Sequence, residues 1–326
     1  MMIDNHTGHD FLTSEVSDEG RSSFDVAREC GADFDLHYAT KGFIHPIHNG
    51  FVAPKYKNGK HRDKVTGKYI LRADTYEPLG DVSGKYPVRD GYKHIFRTME
   101  TLFPNTTTDM TLFGNGERLV MTQQIGEPIE LLDGDMIKPC VMTRMSLNST
   151  WSTGIFPIGQ RPSCANVLDI DHSVISVKAT KNHDIMLTLR SAVLEASKMQ
   201  ANRLSLFARQ ASLFSVSDRA FRRMLEEILP TIDDDDAPTR TKNLVDAKRA
   251  AILSTWNGEK DRYNSSGNGW LAWNAFQGAE QHRINQGFKG GLKAEEKSLK
   301  KLAEGKTPIA DAAQEYVNSV IMAEVG

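Results

Sequence analysis

The sequence predicts an α+β fold, with a central antiparallel or mixed, hairpin-rich sheet and a helical C-terminal half. Three observations carry this. From Thr111 to Lys178 turn-forming groups recur at intervals of about ten residues between short β-branched or apolar runs, the pattern of a meander. These groups include Asn115-Gly116, Asp133-Gly134-Asp135, Asn148-Ser149-Thr150 and Arg161-Pro162-Ser163. From Asp184 onward the character changes to long stretches of helix formers with helical apolar spacing. Hydrophobic residues make up 39% of 326 and mean hydropathy is -0.44, which supports one large or two modest cores in a soluble chain.

The elements follow in order. Residues 1–36 hold nine acidic residues against Arg21 and Arg28, a local charge of −7, and read as a tail or loosely packed arm. Residues 37–68 form a basic loop segment. Across residues 37–72 eight Lys and Arg face Asp63 alone, a local charge of +7, with Tyr56, Tyr69, His45, His48 and His61 interleaved. Residues 69–182 make the sheet core and 183–326 a helical region packed on it.

Within the core, Tyr69–Arg72 and Leu79–Ser83 read as strands. Val88 to Phe103 has Val88, Tyr92, Ile95, Phe96, Met99, Leu102 and Phe103 at helical spacing, and Pro104 ends it. Asn115-Gly116 between two β-branched runs marks a hairpin. Strands follow near Pro128–Leu132, Met136–Leu147, Ile155–Ile158 and Ser173–Ala179.

The helical region begins with Leu187 to Phe214. Ser217 caps Asp218–Leu229, and Asp218 is well placed against the helix dipole. Asp233 to Asp236 is an acidic linker closed by Pro238. Further helices are expected at Lys242–Trp256, Asn268–Ile284, Lys293–Ala303 and Pro308–Met322, the last opened by Thr307-Pro308.

Net charge is −2, so the chain as a whole is no polyelectrolyte aimed at nucleic acid or membrane. No apolar run approaches the roughly 18 residues of a spanning helix. The polar, acidic Met1–Gly20 is no signal peptide. Three cysteines, Cys30, Cys140 and Cys164, fit a reducing compartment better than a disulfide framework.

Each candidate for chemistry competes with a plainer role. Gly114-Asn115-Gly116 lacks the Lys-Ser/Thr and third glycine of a phosphate loop, which argues against a nucleotide hydrolase or dinucleotide enzyme. Asp133 and Asp135 are a carboxylate pair for a divalent metal or, preferably, a turn between strands. Asp169, Asp171 and His172, with His183-Asp184 nearby, offer nuclease-like metal ligands but also suit a polar strand entrance. His45, His48 and His61 lack the cysteine pair a zinc site needs, and a loop is favoured. Cys164 follows Arg161, which would lower a thiol pKa, yet no general base is identifiable. Trp270, Trp273 and Gln277 share a helix face with His282 about a turn further on, and read as packing between helices.

The basic stripe is the strongest functional signal. Lys55, Lys57, Lys60, Arg62, Lys64, Lys68, Arg72, Lys85 and Arg89 are expected to contact phosphates, and Tyr56, Tyr69 and Tyr86 to stack on bases. No catalytic residues, metal ligands or cofactor are assigned.

Several motifs in order give the chain a family resemblance. They are Tyr69-Ile70-Leu71-Arg72-Ala73-Asp74-Thr75, Leu79-Gly80-Asp81-Val82-Ser83-Gly84-Lys85-Tyr86, the Leu112–Thr122 hairpin and Asp133-Gly134-Asp135. Asn148-Ser149-Thr150-Trp151, Arg161–Asn166 and Gly269-Trp270-Leu271-Ala272-Trp273-Asn274-Ala275 with His282 continue the series. Over residues 69–285 the chain resembles the phage/plasmid-like proteins grouped as domain of unknown function 932. Where the family has Tyr-Asn-Ala near its C-terminus, this chain has Trp273-Asn274-Ala275.

The resemblance implies a mobile-element origin, most readily a bacteriophage, and brings no catalytic residues with it. The layout is similar to that of phage single-strand annealing proteins. The resulting expectation is a DNA-metabolism protein of the host cytoplasm that binds single-stranded DNA, promotes annealing without ATP and forms homo-oligomers. The alternatives are a non-enzymatic phage structural or host-interaction protein, with a phage or host protein as its partner, and a metal-dependent nuclease using Asp169, Asp171 and His172.

Overall fold

The computed structural model describes residues 20–40, 43–44, 51–52, 67–83, 90–132, 134–148, 150–151, 153–161, 166–168, 175–176, 185–234, 237–284, 301, 303–304 and 306–325. Its fold is α+β, with antiparallel sheets in the first half and most of the helix in the second.

The main sheet is built from β6 (Thr107–Phe113), β7 (Arg118–Gln124), β9 (Asp135–Ser146), β10 (Gly154–Arg161) and β11 (Asn166–Leu168). They lie in the order β11-β10-β9-β7-β6, all antiparallel. The short β8 (Ile129–Leu132) pairs with the start of β9, and β12 (Ile175–Ser176) with the start of β10. A second sheet of three antiparallel strands has the order β1-β4-β5: β1 (Leu36–Thr40), β4 (Gly67–Arg72) and β5 (Pro78–Ser83). The two-residue strands β2 (Phe43–Ile44) and β3 (Phe51–Val52) pair with each other.

Alternation along β7, β9 and β10 divides the main sheet into two buried faces. Leu119, Met121, Val141, Met145 and Ile155 pack against α1 (Ser23–Glu29) and α2 (Lys93–Leu102), which contribute Val26, Ala27, Ile95, Phe96, Met99 and Leu102. Val120, Met142, Phe156 and Ile158 lie in the opposite core with Phe113, Trp151 and Ala303. A third core joins Ile137 and Leu168 to the helices α3 (Ile185–Ser212), α4 (Asp218–Ile228), α5 (Thr239–Arg262), α6 (Gly269–Gly278) and α7 (Pro308–Val325).

Several expectations change. Residues 20–36 are core and not tail: Val26, Ala27, Cys30, Ala32 and Phe34 are all buried. Their acidic residues lie outward in ion pairs, Asp25 with Arg28, Glu29 with Arg21, and Asp33 and Asp35 with Lys93, while the apolar ones between them cover the sheet. The helix expected from Val88 starts at Lys93 because Gly91 sits at φ 57, a left-handed conformation that interrupts any helix running into it. Asn115-Gly116 does mark a hairpin, but Phe113 pairs with Arg118, so the loop holds four residues and not two. The helix expected at Lys242–Trp256 runs from Thr239 to Arg262, with Pro238 as its N-cap. Of the strand expected at Ser173–Ala179, only Ile175–Ser176 falls within the described residues; the helix expected at Lys293–Ala303 lies largely outside them.

The helix expected from Asn268 to Ile284 exists but changes its winding. Asn268 caps α6 through its side chain, which accepts from the Leu271 N–H at 2.9 Å. Beyond Gly278, residues Ala279–Arg283 form a π-helical turn closed by Ile284 N–H to Ala279 O at 2.8 Å. That turn sends its buried polar residues in two directions. Gln281 reaches back to β11, and Glu280 reaches forward to α7. One oxygen of Glu280 accepts the N–H groups of Ile309 and Ala310 at 3.1 and 2.8 Å. Pro308 has no N–H to offer, so Glu280 supplies the cap where α7 first needs one.

Glu280→Ala is therefore expected to lower the unfolding free energy by about 1–3 kcal/mol, because it orphans two donors near a buried helix start. Glu280→Gln keeps an acceptor there and is expected to remain within about 1 kcal/mol of the parent. Urea unfolding of both variants checks the pair, and equal losses would contradict the capping role.

Candidate functional site

Among the described residues a cluster of charged and aromatic side chains gathers where β9 begins and β10 ends, at one end of the sheet's interior strands. Antiparallel neighbours place the first residue of β9, Asp135, beside the last residue of β10, Arg161. The Arg161 Nε donates to Asp135 Oδ1 at 2.6 Å, and its Nη1 donates to Glu259 Oε2 on α5 at 2.7 Å. The second oxygen of Asp135 accepts the Trp270 indole N–H at 2.7 Å, and its first also accepts the Tyr263 hydroxyl at 3.0 Å. Arg262 joins through Glu259 at 3.0 Å. The guanidinium lies 5.0 Å from the centre of the Tyr263 ring and 5.8 Å from that of Trp270.

Accessibility decides what this cluster can do. The side chains of Arg161, Asp135 and Glu259 are 0%, 1% and 3% exposed. A carboxylate pair acting as general acid and base has to reach a substrate, and these two are sealed behind aromatic rings. Asp135 is already committed to Arg161, Tyr263 and Trp270, and Glu259 to Arg161 and Arg262. The cluster's chemistry is that of a clamp between the sheet and helices α5 and α6.

Next to it, α6 and the π-helical turn hold β11 by its backbone. Gln277 and Gln281 both donate to the Val167 carbonyl at 2.7 Å, and the Val167 N–H donates to Gln281 Oε1 at 2.9 Å. Trp270 and Trp273 are buried with Phe207 set edge-on to each, as their shared helix face suggested. His282 is pushed down from 6.5 to about 4, by burial first and then by the charge of Arg283.

A second cluster involves the Asn148–Trp151 turn. Asn148 Oδ1 accepts from the Thr150 N–H and hydroxyl at 3.1 and 2.6 Å. The backbone of β5 comes so close that a Cβ on Gly80 would lie 2.4 Å from the Asn148 Cβ. Trp151 donates its indole N–H to Glu304 at 3.1 Å and receives Arg118 over its ring at 5.3 Å. Arg144 donates to the Ala303 carbonyl, so this C-terminal stretch lies across the sheet.

Asp135 points into the clamp and not toward a metal, and Gly134 at φ 74 makes the turn favoured by its sequence. Asp133, Asp169, Asp171, His172, His183, Asp184, His45, His48, His61 and Cys164 lie outside the described residues. Among the described residues no group of three or more His, Cys, Asp or Glu comes together as a metal site. Burial pushes the Cys30 and Cys140 thiols up to about 12, far from a reactive thiolate.

Of the basic stripe, Lys55, Tyr56, Lys57, Lys60, Arg62, Lys64, Lys85, Tyr86 and Arg89 lie outside the described residues. Lys68 and Tyr69 lie on β4, the central strand of the three-stranded sheet, where Tyr69 pairs with Ala39 on one side and Asp81 on the other. Arg72 is engaged by the fold. It bonds both oxygens of Asp74 at 3.0 and 2.8 Å, donates to the carbonyls of Asn115 and Gly31, and stacks 4.1 Å above Phe34.

Sequence reasoning missed Glu259 and Tyr263. Glu259 lies on a helix whose apolar pattern is weak, and its partner Arg161 is 98 residues away. An acid a turn after Trp256 was the only local hint.

The family model for a domain of unknown function, DUF932, matches residues 78–305, and the chain belongs to that family. No curated protein and no solved structure matches.

Arg161→Ala is expected to cost about 3–5 kcal/mol, since it leaves Asp135 and Glu259 buried without a cation. A midpoint shift below that of an ordinary surface substitution in urea unfolding would contradict the clamp. His282 gives a pH signature. Its neutral form is favoured on folding, so its contribution is present above pH 6.5 and lost as the pH falls toward 4. The difference in stability between the parent and His282→Gln is expected to change across that window by up to about 3 kcal/mol. Unfolding midpoints measured from pH 7.5 to 4 check this, and parallel curves would contradict it.

Proposed function

We propose that this protein of the DUF932 family binds single-stranded DNA through the basic segment of residues 37–72 together with Lys85, Tyr86 and Arg89, and promotes annealing without nucleotide hydrolysis, as part of the DNA metabolism of a mobile element in its host's cytoplasm. The observation that carries the reading is the charge reversal along the chain, from −7 over residues 1–36 to +7 over residues 37–72. Eight cations among 36 residues, interleaved with tyrosines and histidines, suit a backbone of phosphates with exposed bases.

Two structural features support it. The stripe runs into β4, the middle strand of the three-stranded sheet, on which Lys68 and Tyr69 lie. Near the β4–β5 turn, Tyr76 is 66% exposed and packs edge-on against His37, ring centres 6.1 Å apart, leaving an aromatic face open to solvent. The charge clamp at the other sheet is sealed, which moves function to the surface. Arg72 is set aside by its structural bonds. Phosphate contacts then fall to Lys55, Lys57, Lys60, Arg62, Lys64, Lys68, Lys85 and Arg89, and stacking to Tyr56, Tyr69 and Tyr86.

Binding of a labelled single-stranded oligonucleotide over a salt series tests the proposal. Each phosphate contact contributes about 0.7 to the slope of log affinity against log salt for single strands. Reversing Lys55, Lys57 and Lys60 to Glu is expected to reduce that slope by about 2 and weaken binding at least about tenfold at low salt. No binding, or binding indifferent to salt, removes the proposal.

A further inference from the structure

The longest helix carries an apolar stripe that the fold does not use. α3 buries Gln200, Ala201, Leu204, Phe207, Ala208 and Ala211 against the rest of the molecule. On its opposite side Met199 is 48% exposed, Leu206 58% and Leu213, just past its end, 84%. These three are spaced by seven, so they fall on one line along the helix. Among the five large hydrophobic side chains exposed within the described residues, three are thus on this one line. Isolated exposed leucines are ordinary, whereas an aligned row is the mark of a contact surface.

The polar residues on the same line identify the partner. Glu195, Asn202 and Arg209 alternate with the apolar ones at spacings of three and four, and all three are exposed. Neither Glu195 nor Arg209 makes an ion pair within the described residues. The charges sit at opposite ends of the stripe, with Asn202 between them. Such a stripe complements itself when reversed. A twofold axis crossing α3 near Asn202 sets Met199 against Leu206 of the partner subunit, and the symmetry repeats that contact. The same operation brings Glu195 to Arg209 of the partner subunit, again twice. A parallel pairing in register would instead place Glu195 beside Glu195 and Arg209 beside Arg209.

We propose that α3 is the interface of a twofold dimer of this chain, paired antiparallel through Met199 and Leu206 and oriented by Glu195 and Arg209. The contact is isologous, so it closes at two copies. It is independent of the nucleic-acid reading, because it uses none of the basic stripe.

Light scattering after size-exclusion chromatography of the full chain is expected to give twice the 36.4 kDa of one copy. Leu206→Glu is expected to return the mass to one copy, with the far-UV circular dichroism of the parent showing that the chain still folds. The orienting charges are tested separately. Glu195→Arg is expected to weaken the dimer, and Glu195→Arg with Arg209→Glu to restore it, since the swapped pair is again complementary. A wild-type monomer at about 100 μM, where a micromolar dimer would be saturated, overturns the proposal. So does a dimer indifferent to Leu206→Glu, or a double charge swap weaker than the single one.

Discussion

The ion pair between Arg161 and Asp135 is the constraint on which the arrangement of the two halves depends. Either residue alone in that interior would be an uncompensated charge, at a cost of several kcal/mol. Together they still need further partners, and these come from two helices: Glu259 and the Tyr263 hydroxyl from α5 and its C-cap, and the Trp270 indole from the start of α6. Satisfying the charges therefore fixes where α5 and α6 lie on the sheet. Hydrophobic burial is non-directional, so by itself it sets that the helices pack on the sheet more than how they are registered on it. The directional bonds to Asp135 choose that register.

This explains why residues far apart in the chain resemble the family motifs without any visible reaction. Asp135 closes the Asp-Gly-Asp turn, Arg161 opens the Arg–Asn segment, and Trp270 belongs to the tryptophan-rich helix. They meet in one sealed cluster. The Asn148–Trp151 turn and Gly80 meet in the same way, through backbone contact too close for a side chain at Gly80. Such motifs read as signatures of architecture. They position a sheet and a set of helices, and the surfaces those elements present remain free to differ in function.

Legibility in the sequence followed the range of the interaction. Local periodicity and capping chemistry were readable. Ser217 and Asn268 accept the N–H groups expected of caps, Thr307-Pro308 opens α7, and the buried residues of α2 are those spaced along one helical face. The start of α2 was misplaced because Gly91 overrides the apolar period that continues past it toward Val88. The π-helical turn was invisible because the sequence from Asn268 to Ile284 has no proline or charge run to mark a change of winding. Its cause lies elsewhere, in β11 and α7, which Gln281 and Glu280 must both reach. The charge cluster was the least legible part. Asp135 was readable as a turn residue, but nothing near it announces partners 26 and 135 residues away.

Arg72 shows how the same limit bears on function. By composition it is one more cation in a basic stripe leading into the sheet. In the fold its guanidinium spans three segments, touching Gly31, Asp74 and Asn115 and covering Phe34. Its side chain is 15% exposed, and its planar fork is filled by carbonyls and a carboxylate. It links the residues after α1, the β4–β5 turn and the tip of the β6–β7 hairpin, much as Arg161 links sheet to helices. A count of charges assigns Arg72 to the surface, although it has been withdrawn from it by neighbours the local sequence does not reveal. What distinguishes the remaining lysines of the stripe is chemical: a long flexible stem and a compact ammonium suit them poorly to such planar, bidentate sites. Arg72, by contrast, is a cation of the stripe that the fold has taken up: its partners come from three segments, and its guanidinium covers a buried ring.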